Sequence, residues 1–594
     1  MQVVATAGHV DHGKSTLVRV LTGIEPDRWA EERRRGMTID LGFAWTRLPD
    51  GSDLAFVDVP GHERFVPNML AGVGPVPAVV FVVAADDGWR PQSAEHLAVI
   101  DALGVRRGLL VVTRSDLRDP RQATLEAAEH LSHSTLAGAE SVAVSAVNGS
   151  GMDELRAALG RLARSLPDAD PDARMRLWVD RVFTIKGAGT VVTGTLGDGQ
   201  LGVGDELEVA TTGRGVRVRG LQSQGRQVTE VKGVARVAVN LRGAGPEDIR
   251  RGDALVRAGE WLVTDVADVR LVGRSETSGA AHLMMHMGSA AEPVRLRRFP
   301  DGTGEALGSG RIRLARALPL SIGDRGLVRD PSRHDLVIGV EVLDPLPPAL
   351  SRRGAAAERA GLLAQAGTPT AADEVRRRGV VSRSVLRRLG VDHSSLRPLT
   401  GDWYVDEELQ GRLGQDLAAY VKAYRARHPL EPGVPLSEVR VGLGLPDAAL
   451  VRALVRHPLV VDAGRIVHAT APTDLPPDVA EGLDAVRRGL AEDPFRAPEA
   501  DALRSLGLGP RELAVAQRVG LLLRVADGIV LLPDAADRAM ERLTTLAQPF
   551  TVSDARQALD TTRRVALPLL ELLDRQGRTR RLPDGTRRLA GAST

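Results

Sequence analysis

Near the N-terminus, Gly8-His9-Val10-Asp11-His12-Gly13-Lys14-Ser15 sets two glycines, an ammonium and a hydroxyl at the spacing G-x-x-x-x-G-K-S. That spacing suits a chain of phosphates. Glycines let successive backbone N–H groups turn inward around phosphate oxygens. Lys14 is a compact cation for the β- and γ-phosphates, and Ser15 offers a hydroxyl to Mg2+. The chain has 78 basic residues, yet only Lys14, Lys186, Lys232 and Lys422 are lysines. A lysine kept in so arginine-biased a sequence points to chemistry that a guanidinium does not do. The apolar run Val3 to Ala7 predicts a strand before the loop. Ser15 to Thr22 predicts a helix after it, whose positive N-terminus adds to the site. Asp11, His12, Gly13, Lys14, Ser15 and Thr16 are therefore expected to bind nucleotide.

Three further segments complete a GTP/GDP and Mg2+ site. Asp58, in Val57-Asp58-Val59-Pro60-Gly61 at the end of the expected strand Leu54 to Val59, can hold a magnesium-bound water, and the Gly61 N–H can sense the γ-phosphate. Thr38, in Arg35-Gly36-Met37-Thr38-Ile39, can give magnesium a second hydroxyl and so order its segment as a switch. The strand Leu109 to Val112 runs into Thr113-Arg114-Ser115-Asp116. Asp116 can accept both guanine N1–H and N2–H, donors that adenine lacks. Ser145 and Ala146 can close the base pocket with backbone amides. His62, directly after Gly61, is expected to be catalytic by orienting the attacking water, the part a glutamine plays in small GTPases. Strand, loop, helix, switch, strand, switch, helix, strand and specificity loop in this order make a doubly wound α/β domain.

The elements that must carry these residues form only part of the chain. Its 594 residues exceed one core at roughly 100–200 residues per domain. The absence of cysteine excludes disulfides, thiolate zinc sites and a cysteine nucleophile. No run reaches the ~18 apolar residues of a membrane span. The N-terminus enters its first strand without a basic leader. A cytoplasmic protein with no membrane partner is expected. From Leu177, short β-branched runs recur between glycine turns, and the same texture repeats from Trp261 to about Leu346, predicting two β-barrels. Beyond Pro347-Pro348 the chain becomes Ala/Leu/Arg-rich. A repeat of roughly 60 residues, helices followed by a turn, outlines four tandem winged helices. The turns fall at Gly401-Asp402, Gly464-Arg465, Asp527-Gly528 and Asp584-Gly585. The expected domains are 1–170 (P-loop GTPase), 171–258 and 259–346 (barrels), and 347–408, 409–472, 473–535 and 536–594 (winged helices). From Thr561 to Thr594 there are eight arginines against three acids. Arg563, Arg564, Arg580 and Arg581 are expected to bind RNA there, with Arg578, Arg587 and Arg588 lining the same wing.

Gly8 to Thr16, Arg35 to Asp40 and Asp58-Val59-Pro60-Gly61-His62-Glu63 together resemble the translational GTPases, the family of elongation factor Tu. Thr113 and Arg114 depart from that family's usual Asn-Lys, while Asp116 remains. Gly36 to Phe43 and Asp180 to Thr195 resemble its selenocysteine-specific branch, and the resemblance runs to the C-terminus. It implies a monomeric factor that carries selenocysteinyl-tRNA to the ribosome at UGA codons marked by an mRNA hairpin. It implies that Asp180, Arg181 and Arg236 form the aminoacyl pocket and that the last module binds the hairpin. Two other readings stay open: a GTPase regulating a metabolic partner, and a nucleic-acid regulator with the GTPase as its switch.

Overall fold

The computed structural model describes the chain apart from residues 1, 27–40, 61–68, 70–75, 188, 273–282, 301–307, 332–336, 365–366, 470–474 and 591–594. Two compact units divide it, Met1–Arg397 and Pro398–Thr594.

The first unit begins with a six-stranded sheet in the order β2-β3-β1-β4-β5-β6, formed by β1 (Gln2–Ala7), β2 (Gly42–Arg47), β3 (Asp53–Asp58), β4 (Ala78–Ala84), β5 (Arg107–Thr113) and β6 (Glu140–Ala143). All pairs are parallel except β2 with β3. Every residue of β4 is buried, as a central strand covered on both faces requires. The pleat sends Val79, Phe81 and Val83 into one core with α2 (Pro91–Leu103) and α3 (Arg121–Ser132). It sends Ala78, Val80 and Val82 into the other, with α1 (Lys14–Thr22) and α4 (Met152–Ser165).

Nine strands follow, β7 (Arg176–Ile185), β8 (Gly189–Leu196), β9 (Gln200–Gly202), β10 (Glu206–Val209), β11 (Arg214–Ser223), β12 (Arg226–Val228), β13 (Glu230–Lys232), β14 (Ala235–Arg242) and β15 (Ala254–Val256). Pairing runs β10-β15-β7-β8-β14-β11, and β11 pairs back to β10, so six strands close a ring. The second barrel is closed in the order β16-β19-β18-β17-β20-β21, from β16 (Leu262–Val272), β17 (Leu283–Met287), β18 (Ala290–Arg298), β19 (Ser309–Leu320), β20 (Arg325–Arg329) and β21 (Val337–Asp344). Helix α2 lies against β20 and β21. Gly339 is needed at that contact, because a Cβ there would sit 2.9 Å from the Ala102 Cα. Helices Ala355–Leu363, Ala371–Arg378 and Arg383–Leu389 end this unit. Arg359 ties the first of them to the barrel through Asp268 at 2.7 Å and Asp344.

In the second unit, a pattern of three helices and a hairpin occurs three times. Helices Glu407–Arg427, Leu436–Gly442 and Ala448–Leu454 precede strands Leu459–Asp462 and Arg465–His468. Pro477–Glu492, Ala500–Ser505 and Pro510–Arg518 precede Leu523–Ala526 and Ile529–Leu531. Ala535–Leu543, Val552–Ala558 and Arg563–Arg575 precede Thr579–Arg581 and Arg587–Leu589. This is the winged-helix pattern expected at three of the four turns, Gly464-Arg465, Asp527-Gly528 and Asp584-Gly585; among the described residues Gly401-Asp402 does not join two strands of such a hairpin. The last two modules share one apolar core, in which Phe495 and Leu503 meet Phe550 and Leu569. Pro568 occupies the sixth position of the last long helix, and the helix continues through it. Among the described residues no helix is long and apolar enough to cross a membrane.

Candidate functional site

The phosphate loop leaves β1 at Gly8, where φ is 128°. A Cβ there would lie 2.1 Å from the Val82 carbonyl oxygen, so only glycine passes between the loop and β4. Asp11 and Gly13 also have positive φ, 64° and 81°, and these turn the loop into the N-terminus of α1. Lys14 is buried, and its Nζ donates to the Gly8 carbonyl at 3.0 Å and the His9 carbonyl at 2.8 Å. The ammonium is thus held inside the curl of its own loop.

Ser15 Oγ donates to Asp58 Oδ2 at 2.7 Å. Asp58 is fully buried, and its Oδ1 accepts Thr6 Oγ1 at 2.7 Å. Thr6 Oγ1 in turn accepts the Val59 N–H at 3.1 Å. The chemistry of magnesium fits this pair: one hydroxyl and one carboxylate, with substrate phosphates and water for the rest. No group of three or more His, Cys, Asp or Glu able to hold a metal by itself exists among the described residues.

Two contacts under the loop carry no sequence signature. Gly8 N–H donates to His96 Nδ1 at 3.0 Å, and Val10 N–H donates to Gln92 Oε1 at 3.2 Å, both from α2. Complete burial, with Lys14 and His9 adding positive charge, pushes the His96 pKa down to about 3. The ring is therefore neutral and free to accept. His12 turns its ring away from the loop, with Nε2 at 3.1 Å from Asp87 Oδ2. Burial lowers its pKa more than Asp87 raises it, so a neutral ring donates to that carboxylate.

On the base side, Thr113 Oγ1 donates to the His12 carbonyl at 2.7 Å, fastening the end of β5 to the phosphate loop. Arg114, at φ 56°, reaches the Asp11 carbonyl and Asp86, the latter at 3.1 Å. Its guanidinium thus bridges two segments where the usual family residue is lysine. Asp116 is exposed at the loop. Ser145 Oγ accepts the N–H groups of Val147 at 3.2 Å and Asn148 at 3.3 Å, shaping the turn that holds Ala146. Thr16 and Asp11 lie exposed at the helix start and loop crest. Thr38, Gly61 and His62 lie outside the described residues.

In the first barrel, Asp180 is buried and forms an ion pair with Arg236, whose Nη2 lies 2.8 Å from Asp180 Oδ1. Thr193 Oγ1 donates to the same oxygen at 2.8 Å and accepts Arg236 Nη2 at 3.1 Å. The three positions converge because β7, β8 and β14 are neighbours. Phe43 of β2 covers the cluster, its ring 3.8 Å from the Arg236 guanidinium carbon. Arg181 Nη2 donates to the Leu41 carbonyl at 2.6 Å. Phe43 and Thr193 were missed by sequence reasoning; their contacts arise only when the barrel meets β2.

At the C-terminal wing the arginines separate into two kinds. Arg563, Arg580 and Arg581 are exposed. Arg564 donates to the Ala497 and Pro498 carbonyls, both at 3.0 Å. Arg587 was expected on the wing surface, but it is 2% exposed and its Nε donates to Asp574 at 2.8 Å. The wing strand points it into the module, so it is a packing residue. Arg578 pairs with Asp537 at 2.6 Å.

Residues 1–165 match the elongation factor Tu GTP binding domain family, 189–256 match elongation factor Tu domain 2, and 541–588 match the winged helix of elongation factor SelB. The chain is 32% identical to the selenocysteine-specific elongation factor of Desulfomicrobium baculatum, over 98% of both chains. It is 30% identical to the selenocysteine-specific elongation factor of Escherichia coli K12, over 98% of this chain and 97% of that one. Among solved structures it is similar to the crystal structure of a bacterial selenocysteine-specific elongation factor, EF-Sec, with 26% identity, a TM-score of 0.74, and 99% of this chain and 100% of that one covered.

Proposed function

Because the chain belongs to the family of selenocysteine-specific elongation factors, GTP-binding translation factors with a GTPase domain, we propose that it delivers selenocysteinyl-tRNA to the ribosome at UGA codons marked by an mRNA hairpin. GTP occupies the loop from Asp11 to Thr16. Ser15 and Thr38 would hold Mg2+, with Asp58 fixing a water for it, and the ion would supply neutralisation of phosphate charge. Asp116 reads guanine, with Thr113, Arg114, Ser145 and Ala146 around the base. Gly61 senses the γ-phosphate, and His62 orients the attacking water. Arg563, Arg580 and Arg581 contact the hairpin, with Arg564 beside them. The factor works as a cytoplasmic monomer.

The observation that supports this reading best is the cluster of Asp180, Thr193 and Arg236 beneath Phe43. A selenol is more acidic than a thiol, so near neutral pH the aminoacyl group is mainly an anion. Guanidiniums in a half-buried cleft favour that anion over the neutral hydroxyl of serine. Asp180 orients Arg236 and tempers its charge. Leu41 and Phe43, which touch Arg181 and Arg236, follow the switch threonine by a few residues. The aminoacyl cleft and the γ-phosphate therefore share one stretch of chain.

The test compares binding of selenocysteinyl-tRNA and seryl-tRNA to the wild type, Arg236→Ala and Arg181→Ala in the presence of GTP. Selective loss of the preference for selenocysteine supports the cleft. A preference retained in both variants contradicts it.

A further inference from the structure

The long helix Glu407–Arg427 carries Gly411, Gly414 and Ala418 on one stripe. Each interior glycine costs a helix about 1 kcal/mol relative to alanine. Packing does not demand either one, since a Cβ at Gly411 or Gly414 would meet nothing within 4 Å. What they open is a groove of about 700 Å³ between this helix and the segment from Leu454 to Leu459. Leu417, Val421 and Leu454 form its buried apolar floor. Lys422 stands on one lip, with Arg456 and His457 on the other, all three exposed.

Among the described residues no carboxylate lines this groove. Elsewhere in the same unit guanidiniums turn to acids: Arg465 to Glu431 at 2.8 Å, Arg538 to Asp534 at 2.7 Å, Arg578 to Asp537 at 2.6 Å. Arg456 instead donates Nη1 to the carbonyls of Ala453 at 2.5 Å and Val455 at 3.0 Å. Lys422 is one of only four lysines in the chain. Cations on both lips of a trough with an apolar floor match a polymer that carries an anion at every unit and a flat apolar ring between.

We propose that this groove in the second winged helix is a binding site for single-stranded RNA, distinct from the arginine wing at the C-terminus. Phosphates lie against Lys422 and Arg456, a base lowers onto Leu417 and Leu454, and the His457 ring offers a plane for stacking. The bared helix backbone at Gly411 and Gly414 lets the strand approach closely. The identity of the partner rests on the reading of the chain as a factor that works among RNAs. The test needs neither GTP nor tRNA, so its failure is distinguishable from failure of that reading.

The full chain has no cysteine, so Gly411→Cys can carry a single photocrosslinking label at the groove. The labelled protein is irradiated with a mixed-sequence single-stranded RNA of about twenty nucleotides at low salt. Label crosslinked to RNA is expected. The yield should fall about five-fold on adding Lys422→Glu with Arg456→Glu, in keeping with two lost phosphate contacts. It should fall comparably with Gly414→Leu, which fills the groove without changing charge. Arg563→Ala with Arg580→Ala should leave it unchanged. A yield insensitive to both groove variants, or one that falls only with the wing variant, would overturn the proposal. So would equal competition by a polyglutamate peptide of matched charge, since that would make the groove an acidic-protein site.

Discussion

His96 shows how a residue remote from the substrate governs a phosphate loop. Its neutral ring accepts the Gly8 N–H, so a proton there would replace a hydrogen bond with a repulsion beside Lys14. In the unfolded chain the same ring titrates near its ordinary 6.5, and in the folded chain near 3. Between those values the unfolded chain binds more protons. Stability is therefore complete above about pH 6.5 and is lost progressively as pH falls toward 3. From pH 7.5 to 5 the loss from this residue is about 2 kcal/mol. Calorimetry of the wild type and His96→Gln at those pH values should show a smaller fall in Tm for the variant, and an equal fall would contradict the assignment. At the proposed aminoacyl cleft, Arg236→Ala strands the buried Asp180 carboxylate, and about 3 kcal/mol of barrel stability should go with it. Asp180→Ala in the same chain should restore much of that, read by the barrel's thermal transition. The phosphate loop was legible because its chemistry is written in consecutive residues, each acting through its own backbone or its immediate neighbour. His96, Gln92 and Phe43 were not, because their partners lie tens of residues away and meet them only through the sheet and the barrel. Arg587 failed for the same reason in reverse: eight arginines in a run look alike until Asp574 selects the one that is buried.

Helix α2 joins the phosphate loop and the second barrel into one mechanical element. Its first turns hold Gly8 and Val10 through His96 and Gln92, while Glu95 reaches Arg329 at 3.4 Å and Ala102 packs on Gly339 of the second barrel. A shift of the barrel therefore pulls on the loop that grips phosphate. Gly339→Val should push the helix away and speed release of a fluorescent GDP analogue, measured by stopped flow, by several-fold; an unchanged rate would show that the helix does not transmit. The strands of both barrels were legible from β-branched runs between glycines. Their closure was not, since it depends on pairs far apart in the chain, β7 with β15 in the first barrel and β16 with β21 in the second. Three of the four expected winged helices are legible in the second unit, because the turns at Gly464-Arg465, Asp527-Gly528 and Asp584-Gly585 each join two strands and each hairpin follows a helix.

Over the whole chain, a nucleotide-binding unit and a helical unit are separately compact. Each should keep its own ligand when the other is disabled. Lys14→Ala should abolish uptake of labelled guanine nucleotide and leave hairpin RNA affinity within about two-fold of wild type; loss of both would contradict the division of labour. The central claim is that the γ-phosphate and the aminoacyl cleft are coupled through the stretch of chain ending at Phe43. The measurement that tests it most directly is the equilibrium dissociation constant for selenocysteinyl-tRNA with a non-hydrolysable GTP analogue and with GDP. The account predicts affinity at least about ten-fold tighter in the GTP state, with the difference shrinking in Phe43→Ala. Equal affinity in the two nucleotide states would contradict it.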